Sequence, residues 1–298
     1  MARTLRLPRA DGTLTAYRLT GATPVAPPAG PIRSRIAYAA VHVVADPLAA
    51  INPTLEAALD WNATLAYRRY IWSLGLAVAE AMDTSQRGMG FDWSTAKELI
   101  RRAVAEARGI PGAVIASGAG TDHLEPGQRV TLADVEAAYE EQCAFIESVG
   151  GRIILMASRA LAACAKGGDD YAKVYGKLLE QVSEPVIIHW LGEMFDPALA
   201  GYWGAADHMA AMDTCLAILH EHAAKVDGIK ISLLSKDKEI AMRRRLPNGM
   251  RMYTGDDFNY AELIAGDDQG FSHALLGIFD AIAPAASYAL SRLSAGDE

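Results

Sequence analysis

From Arg35 onward, eight short apolar runs alternate with amphipathic stretches of helical length, and this repetition restricts the fold more than any other feature of the chain. The runs are Ile36–Val44, Leu76–Ala81, Ala113–Ser117, Ile153–Ala157, Val186–Trp190, Gly228–Ser232, Met250–Thr254 and Gly270–His273. Apolar runs this short, set between helices, read as parallel strands buried on both faces. The helices carry start signals: Ser94 before Thr-Ala-Lys-Glu-Leu-Ile, Thr131 with an acid three residues on at Asp134, and Asp169-Asp170 before Tyr171. A hydroxyl or carboxylate there accepts from the unpaired N–H groups of a first helical turn. Without a Gly-x-Gly-x-x-Gly fingerprint, the eightfold pattern predicts a closed (β/α)8 TIM barrel rather than a doubly wound sheet.

Residues 1–35 read differently. Arg3-Thr-Leu-Arg-Leu and Thr13-Leu-Thr-Ala-Tyr-Arg-Leu flank Asp11-Gly12, a turn pair that predicts a β-hairpin. Four prolines between Ala22 and Pro31 then make a stiff connector. The expected organisation is therefore a hairpin and connector over 1–35 and a barrel over 36–298. The net charge of -8 gives no basic footprint for nucleic acid. Arg243-Arg244-Arg245 reads as a solvated helix end. No apolar run approaches the roughly 20 residues that span a bilayer, and no charged-then-apolar leader opens the chain, so a cytoplasmic location is expected. Cys143, Cys164 and Cys215 lack C-x-x-C spacing and read as packing residues.

A barrel of this kind places its site at the C-terminal ends of its strands. That rule selects His42 and Asp46, Glu80 and Asp83, Ser117 and Asp122, Ser158 and Arg159, His189, Lys230, Asp256 and Asp257, and His273. Lys230 stands out because Val226-Asp-Gly-Ile-Lys-Ile-Ser-Leu sets a lysine inside an otherwise apolar strand. Desolvation lowers a lysine pKa, and a neutral amine is what attack on a carbonyl requires. A lysine snorkelling from the strand end, or paired with a structural acid, would satisfy the same pattern. His189, in Val186-Ile-Ile-His-Trp, closes the preceding strand and could move protons, or serve as a hydrogen-bonded core residue.

Four patches resemble the dihydrodipicolinate synthase and N-acetylneuraminate lyase superfamily of class I aldolases. Gly228-Ile-Lys-Ile-Ser232 is similar to its Gly-Ile-Lys-x-Ser strand, Thr254-Gly-Asp-Asp257 to its Ser-Gly-Asp-Asp strand end, and Pro185-Val-Ile-Ile-His-Trp190 to its Pro-Val-Ile-Leu-Tyr-Asn strand. Ala116-Ser-Gly-Ala-Gly-Thr121 resembles its Gly-rich third strand end, and the four keep their order over roughly residues 36–295. The resemblance implies that Lys230 forms the imine. It sets His189 where the family has a proton-relaying tyrosine, with Ser117 or Asp257 as further proton carriers and Asp256 beside them. The family's carboxylate-binding Gly-Thr-Thr-Gly-Glu loop is absent, its place taken by Glu80-Ala-Met-Asp-Thr-Ser85. Acids at Glu80 and Asp83 repel a carboxylate and suit hydroxyls or a cation. Ser158-Arg159 replaces the aromatic pair of strand four, and Arg159 can hold an anion bidentately or close an ion pair. The last helix, from Ile278, runs almost to Glu298, where family members continue with further helices. A truncated or naturally short form of a divergent branch is expected, assembling as a homo-oligomer.

These residues together imply a Schiff-base lyase or aldolase acting through Lys230 on a small hydroxylated carbonyl or keto-acid substrate, without cofactor, metal, nucleic acid or membrane. Two rivals stand beside it. One is a metal-dependent barrel using His42, Asp46, Glu80, Asp83, His189 or His273 to hold Mg²⁺, Mn²⁺ or Zn²⁺, although no H-E-x-x-H occurs. The other is a catalytically inactive barrel that binds a sugar-like ligand.

Overall fold

A computed structural model describes residues 4–18, 31–52, 56–124 and 129–296. Two strands, β1 (Thr4–Pro8) and β2 (Leu14–Arg18), form an antiparallel pair with Leu5 opposite Tyr17. Its turn is built as the Asp-Gly pair foretells: Gly12 takes φ +78°, and Asp11 accepts from the Thr13 N–H. Most of the Pro-rich connector, over 19–30, lies outside the described residues.

Eight parallel strands then close on themselves in chain order, β10 pairing with β3. They are β3 (Ala37–Ala40), β4 (Ala77–Glu80), β5 (Ile115–Ala119), β6 (Arg152–Leu155), β7 (Val186–Leu191), β8 (Val226–Ser232), β9 (Arg251–Thr254) and β10 (His273–Leu276). Alternation divides each strand between two cores. Tyr38, Ala40, Ala77, Ala79, Ala116 and Ile154 meet inside the barrel, with Tyr38 and Tyr253 edge to face at 5.9 Å. Val78, Leu155, Ile188, Trp190, Ile229 and Ile231 face the helices. Each strand is thus apolar on both sides, which is why the runs read as continuous rather than alternating.

The eighth run was placed too early by sequence. Gly270 has φ +150° and closes a turn with Asp267, and the strand begins only at His273. The alternation of Ala274, Leu275 and Leu276 between the two cores is what makes the strand. His273 therefore opens its strand, at the end of the barrel opposite the C-terminal ends of the strands, where its Nδ1 accepts from the Ile36 N–H at 2.9 Å.

Helix starts follow carboxylates and hydroxyls, though not always those expected. Thr131 and Asp134 form the foreseen capping box at α3 (Leu132–Ser148). The cap of α2 (Trp93–Arg108) is Asp92, accepting from the Thr95 N–H, rather than Ser94. Before α5 (Gly168–Gln181) the cap is Gly167, and Asp169 and Asp170 occupy the first turn, where their charge suits the helix dipole. Arg243 and Arg244, at the end of α7 (Lys236–Arg243), are not merely solvated, since both pair with Asp267. The three cysteines are free, two of them buried. Among the described residues no helix is long and apolar enough to cross a membrane.

Candidate active site

Strand alternation decides which titratable groups enter the barrel. On β7, Ile188 and Trp190 face the helices, so His189 points inward; on β8, Ile229 and Ile231 do the same for Lys230 and Ser232. His189 and Lys230 are partners in the β7–β8 register, and His189 Nε2 lies 3.2 Å from Ser232 Oγ. Lys230 is 5% exposed, and its ammonium donates no hydrogen bond among the described residues. Burial pulls the Lys230 amine below its ordinary value, against the nearby carboxylates of Asp83 and Asp257. Burial, and then the charge of Lys230, hold His189 well below the usual imidazole range, so it is neutral at pH 7.

Room for Lys230 comes from a glycine. A Cβ at Gly255 would collide with Ser232 Oγ and lie 2.7 Å from Lys230 Cε. Next to His189, the register partner of Lys230, and to Asp83, whose charge acts on the lysine, opens a cavity of about 350 Å³, lined also by Gly120, Thr121, Met156 and Leu191; Lys230 itself does not line it. Gly118 on β5 is likewise required, because a Cβ there would come within 2.8 Å of the Ala81 carbonyl and of Met156 Sδ.

Asp83 reaches this cavity from a turn after β4, and one of its carboxylate oxygens, Oδ1, is buried without a partner. Ala81 in that turn is left-handed, at φ +52°, a strained geometry for a residue with a Cβ. Two buried charges hold it from either side: Glu80 Oε1 accepts from the Ala81 N–H at 3.0 Å, and Arg87 donates to its carbonyl at 3.1 Å. Arg87 spends all five of its donors, two on Asp122 and one each on Ala81, Gly118 and Gln142. It frames the site and has no donor left for a ligand.

Several residues singled out in the sequence lie elsewhere. Glu80 points away from the cavity, into the layer between barrel and helices, where it makes a bidentate pair with Arg68 at 2.7 and 2.9 Å. Ser117 pairs in register with Glu80, and with Ala116 inside the barrel it faces the helices too; its buried Oγ has no partner. It does not join Lys230. Asp256 is buried and fixes the loop after β9, accepting from the Phe258 and Asn259 N–H groups and from Asn259 Nδ2. Asp257 is exposed at the mouth; partial desolvation raises it above the ordinary aspartate value, Lys230 opposing and Asp256 and Asp83 adding. Arg159 lines the cavity and pairs with Asp196. Asp122 is clamped by Arg87, and Ser158 caps α4 (Arg159–Cys164).

The ligands of a metal-dependent site are dispersed in the same way. His42 pairs with Asp280, Glu80 with Arg68, and His273 lies at the start of its strand. Among the described residues no group of three or more His, Cys, Asp or Glu is placed to hold a metal ion. Sequence reasoning passed over Arg68, Arg87, Ser232 and Gly255. The last two sit inside the strand patches already quoted, whereas the arginines lie on segments with no strand-end signal.

Comparison with known proteins follows this geometry. The family described as "Protein of unknown function (DUF993)" matches residues 5–298. No curated protein sequence matches the chain. Among solved structures, dihydrodipicolinate synthase from Aquifex aeolicus superposes with a TM-score of 0.65 at 14% identity, over 88% of this chain and 76% of that one. The Acinetobacter baumannii enzyme, complexed with pyruvate, gives 0.65 at 14% identity over 89% and 78%. The 2-keto 3-deoxygluconate aldolase of Picrophilus torridus gives 0.58 at 12% over 87% and 83%. The fold is that of the dihydrodipicolinate synthase-like barrels, as the four sequence patches imply.

Proposed function

We propose that this chain, which belongs to the DUF993 family, is a class I aldolase or lyase whose Lys230 forms an imine with a small hydroxylated carbonyl compound. The observation that carries the reading is the setting of Lys230: inside the barrel, buried, without a hydrogen-bond partner among the described residues, and in register with His189. Burial favours its neutral form, as nucleophilic attack needs, with Asp83 and Asp257 opposing. Attack forms a carbinolamine, and loss of water leaves a protonated imine. That cation draws in the electron pair of the bond between the α and β carbons as a base takes the proton of the β-hydroxyl. An aldehyde departs and an enamine remains; protonation at carbon and hydrolysis then return the amine. Neutral His189, oriented by Ser232, is the base within the barrel, and Asp257 at the mouth is a second proton carrier.

The substrate class follows from Asp83. Its carboxylate, on a residue that lines the cavity near enough to Lys230 to act on its charge, repels a carboxylate next to the reacting carbonyl and accepts from a hydroxyl there. A hydroxymethyl ketone or related keto sugar fits better than a plain 2-oxo acid. Borohydride added with small keto sugars should leave a stable mass increase on the peptide containing Lys230, and pyruvate should leave little. Lys230→Arg should abolish trapping with the fold retained. An active Lys230→Arg enzyme, or trapping by pyruvate alone, would overturn the reading.

A further inference from the structure

The cavity lined by Asp83 and His189 has a neighbour. Val130, Ala160 and Ala163 line both it and a second hollow that runs outward past α4, bounded at its far side by Arg129 and Lys166. Sharing this wall, the two hollows lie side by side as a candidate bent cleft with unlike ends. At the inner end stands the carboxylate of Asp83, close enough to Lys230 to act on its charge. In the outer arm, the side chains of Arg129 and Lys166 are exposed and have no ion-pair partner among the described residues. Among the described residues lining it the one acid, Asp170, accepts from the Lys166 backbone N–H at 2.7 Å, and Asp134 lies near enough to act on Cys164 in the same wall. Arg159 stands at the bend, its Nε on Asp196 and its Nη1 so close to Gly88 that a Cβ there would lie 3.1 Å away. It is held in place while its outer donors remain open.

We propose that this cleft takes an extended carbonyl substrate with a neutral, hydroxylated carbonyl end and an anionic oxygen group, phosphate or carboxylate, at its far end, received by Arg129 and Lys166 with Arg159 at the bend. This rests on the imine reading for its inner end only. Opposite charge at the two ends fixes the substrate's direction: reversed, the anion would face Asp83 and the hydroxylated end would leave two cations unmatched. It also separates two tasks, since the arm binds a part of the substrate that does not react.

Three probes of one chain length test it: D-fructose, its 6-phosphate, and D-fructuronate, which carries a carboxylate in the same place. Affinity for the intact protein is measured by calorimetry, and imine formation by borohydride trapping on Lys230. At least one anionic probe should bind about tenfold or more tightly than D-fructose, as charge-assisted hydrogen bonds to the arm require. Which one does so separates phosphate from carboxylate. The double variant Arg129→Ala with Lys166→Ala should erase the preference and leave affinity for D-fructose unchanged. Binding does not need the imine, so the preference should persist in Lys230→Arg. A preference in binding without any trapping would sink the imine reading and leave the arm standing. Equal affinity for all three probes, or a preference that survives the double variant, would overturn the arm.

Discussion

On the β7–β8 side of the barrel His189 and Lys230 point inward, whereas on the β3–β4 side the charged residue, Glu80, points outward. His189 and Lys230 occupy inward positions, buried, and neither has an ion-pair partner among the described residues. Across the barrel the inward positions are Tyr38, Ala40, Ala77 and Ala79, and the charge lies behind them, Glu80 locked to Arg68. Both sides carry ionisable residues at strand ends, so strand-end position alone does not mark chemistry. The side on which the residue falls does. An inward charge meets cavity and substrate; an outward one must find a partner among the helices or pay full desolvation.

The comparison is broken most sharply at His189. His189→Gln keeps a hydrogen-bonding side chain near Ser232 but removes the base, and turnover should fall about 10²–10⁴-fold. Thermal stability should change little, and borohydride trapping on Lys230 should survive, because imine formation and proton relay are separate tasks. Single-turnover measurement on a trappable keto sugar checks this. If trapping is lost with turnover, His189 positions the lysine rather than moving protons.

On the opposite side the expected effect is on folding. Arg68→Ala strands Glu80 as an unpaired carboxylate with no exposed surface, and losing one partner of such a pair costs about 3–5 kcal/mol. Urea unfolding should show it. The replacement also loosens the hold of Glu80 on left-handed Ala81, so the turn carrying Asp83 should lose order and selectivity among carbonyl substrates should weaken with it. Unchanged stability would mean that Glu80 finds another partner once Arg68 is gone.

How much of this was legible follows from the same division. The strand repetition, the hairpin turn and the α3 capping box are local signals, and each was readable in a few adjacent residues. Lys230 was legible because a lysine in Gly-Ile-Lys-Ile-Ser contradicts its surroundings. The direction of Glu80 was not: when both faces of a strand are buried, the polar-apolar alternation that reveals parity is erased, and Ala77-Val-Ala-Glu80 reads alike on either side. The partner that decides the matter, Arg68, sits twelve residues earlier on α1 (Trp61–Ser73), on a face it shares with Thr64, Ile71 and Trp72. His273 was misplaced for a different reason, since Gly270-Phe-Ser-His resembles a strand in composition while Gly270 turns the chain.

The smallest expected effect lies between the two regions, at Glu239 on α7. It is buried, accepts from Ser272 Oγ at 2.6 Å, leaves Oε2 without a partner, and is linked to Thr254 at the end of β9. Burial pushes its carboxyl up from 4.5 to about 7, which Ser272 and Thr254 only partly offset. The folded protein therefore holds this proton over a pH range in which the unfolded chain has released it. Stability from this group is fully present below pH 4.5 and is lost as pH rises to about 7, a change of about 3 kcal/mol at most. Glu239→Gln has no proton to lose, so the difference in unfolding free energy between variant and wild type should move in the variant's favour from pH 5 to pH 8. Taking that difference also cancels the opposite contribution of His273, whose imidazole burial lowers to about 4. Borohydride trapping at Lys230 should be the same in both proteins, because Glu239 acts behind β9 and not in the cavity. A difference that stays flat with pH would mean that Glu239 is already charged when folded, with an oppositely charged neighbour closer than Arg243 now stands.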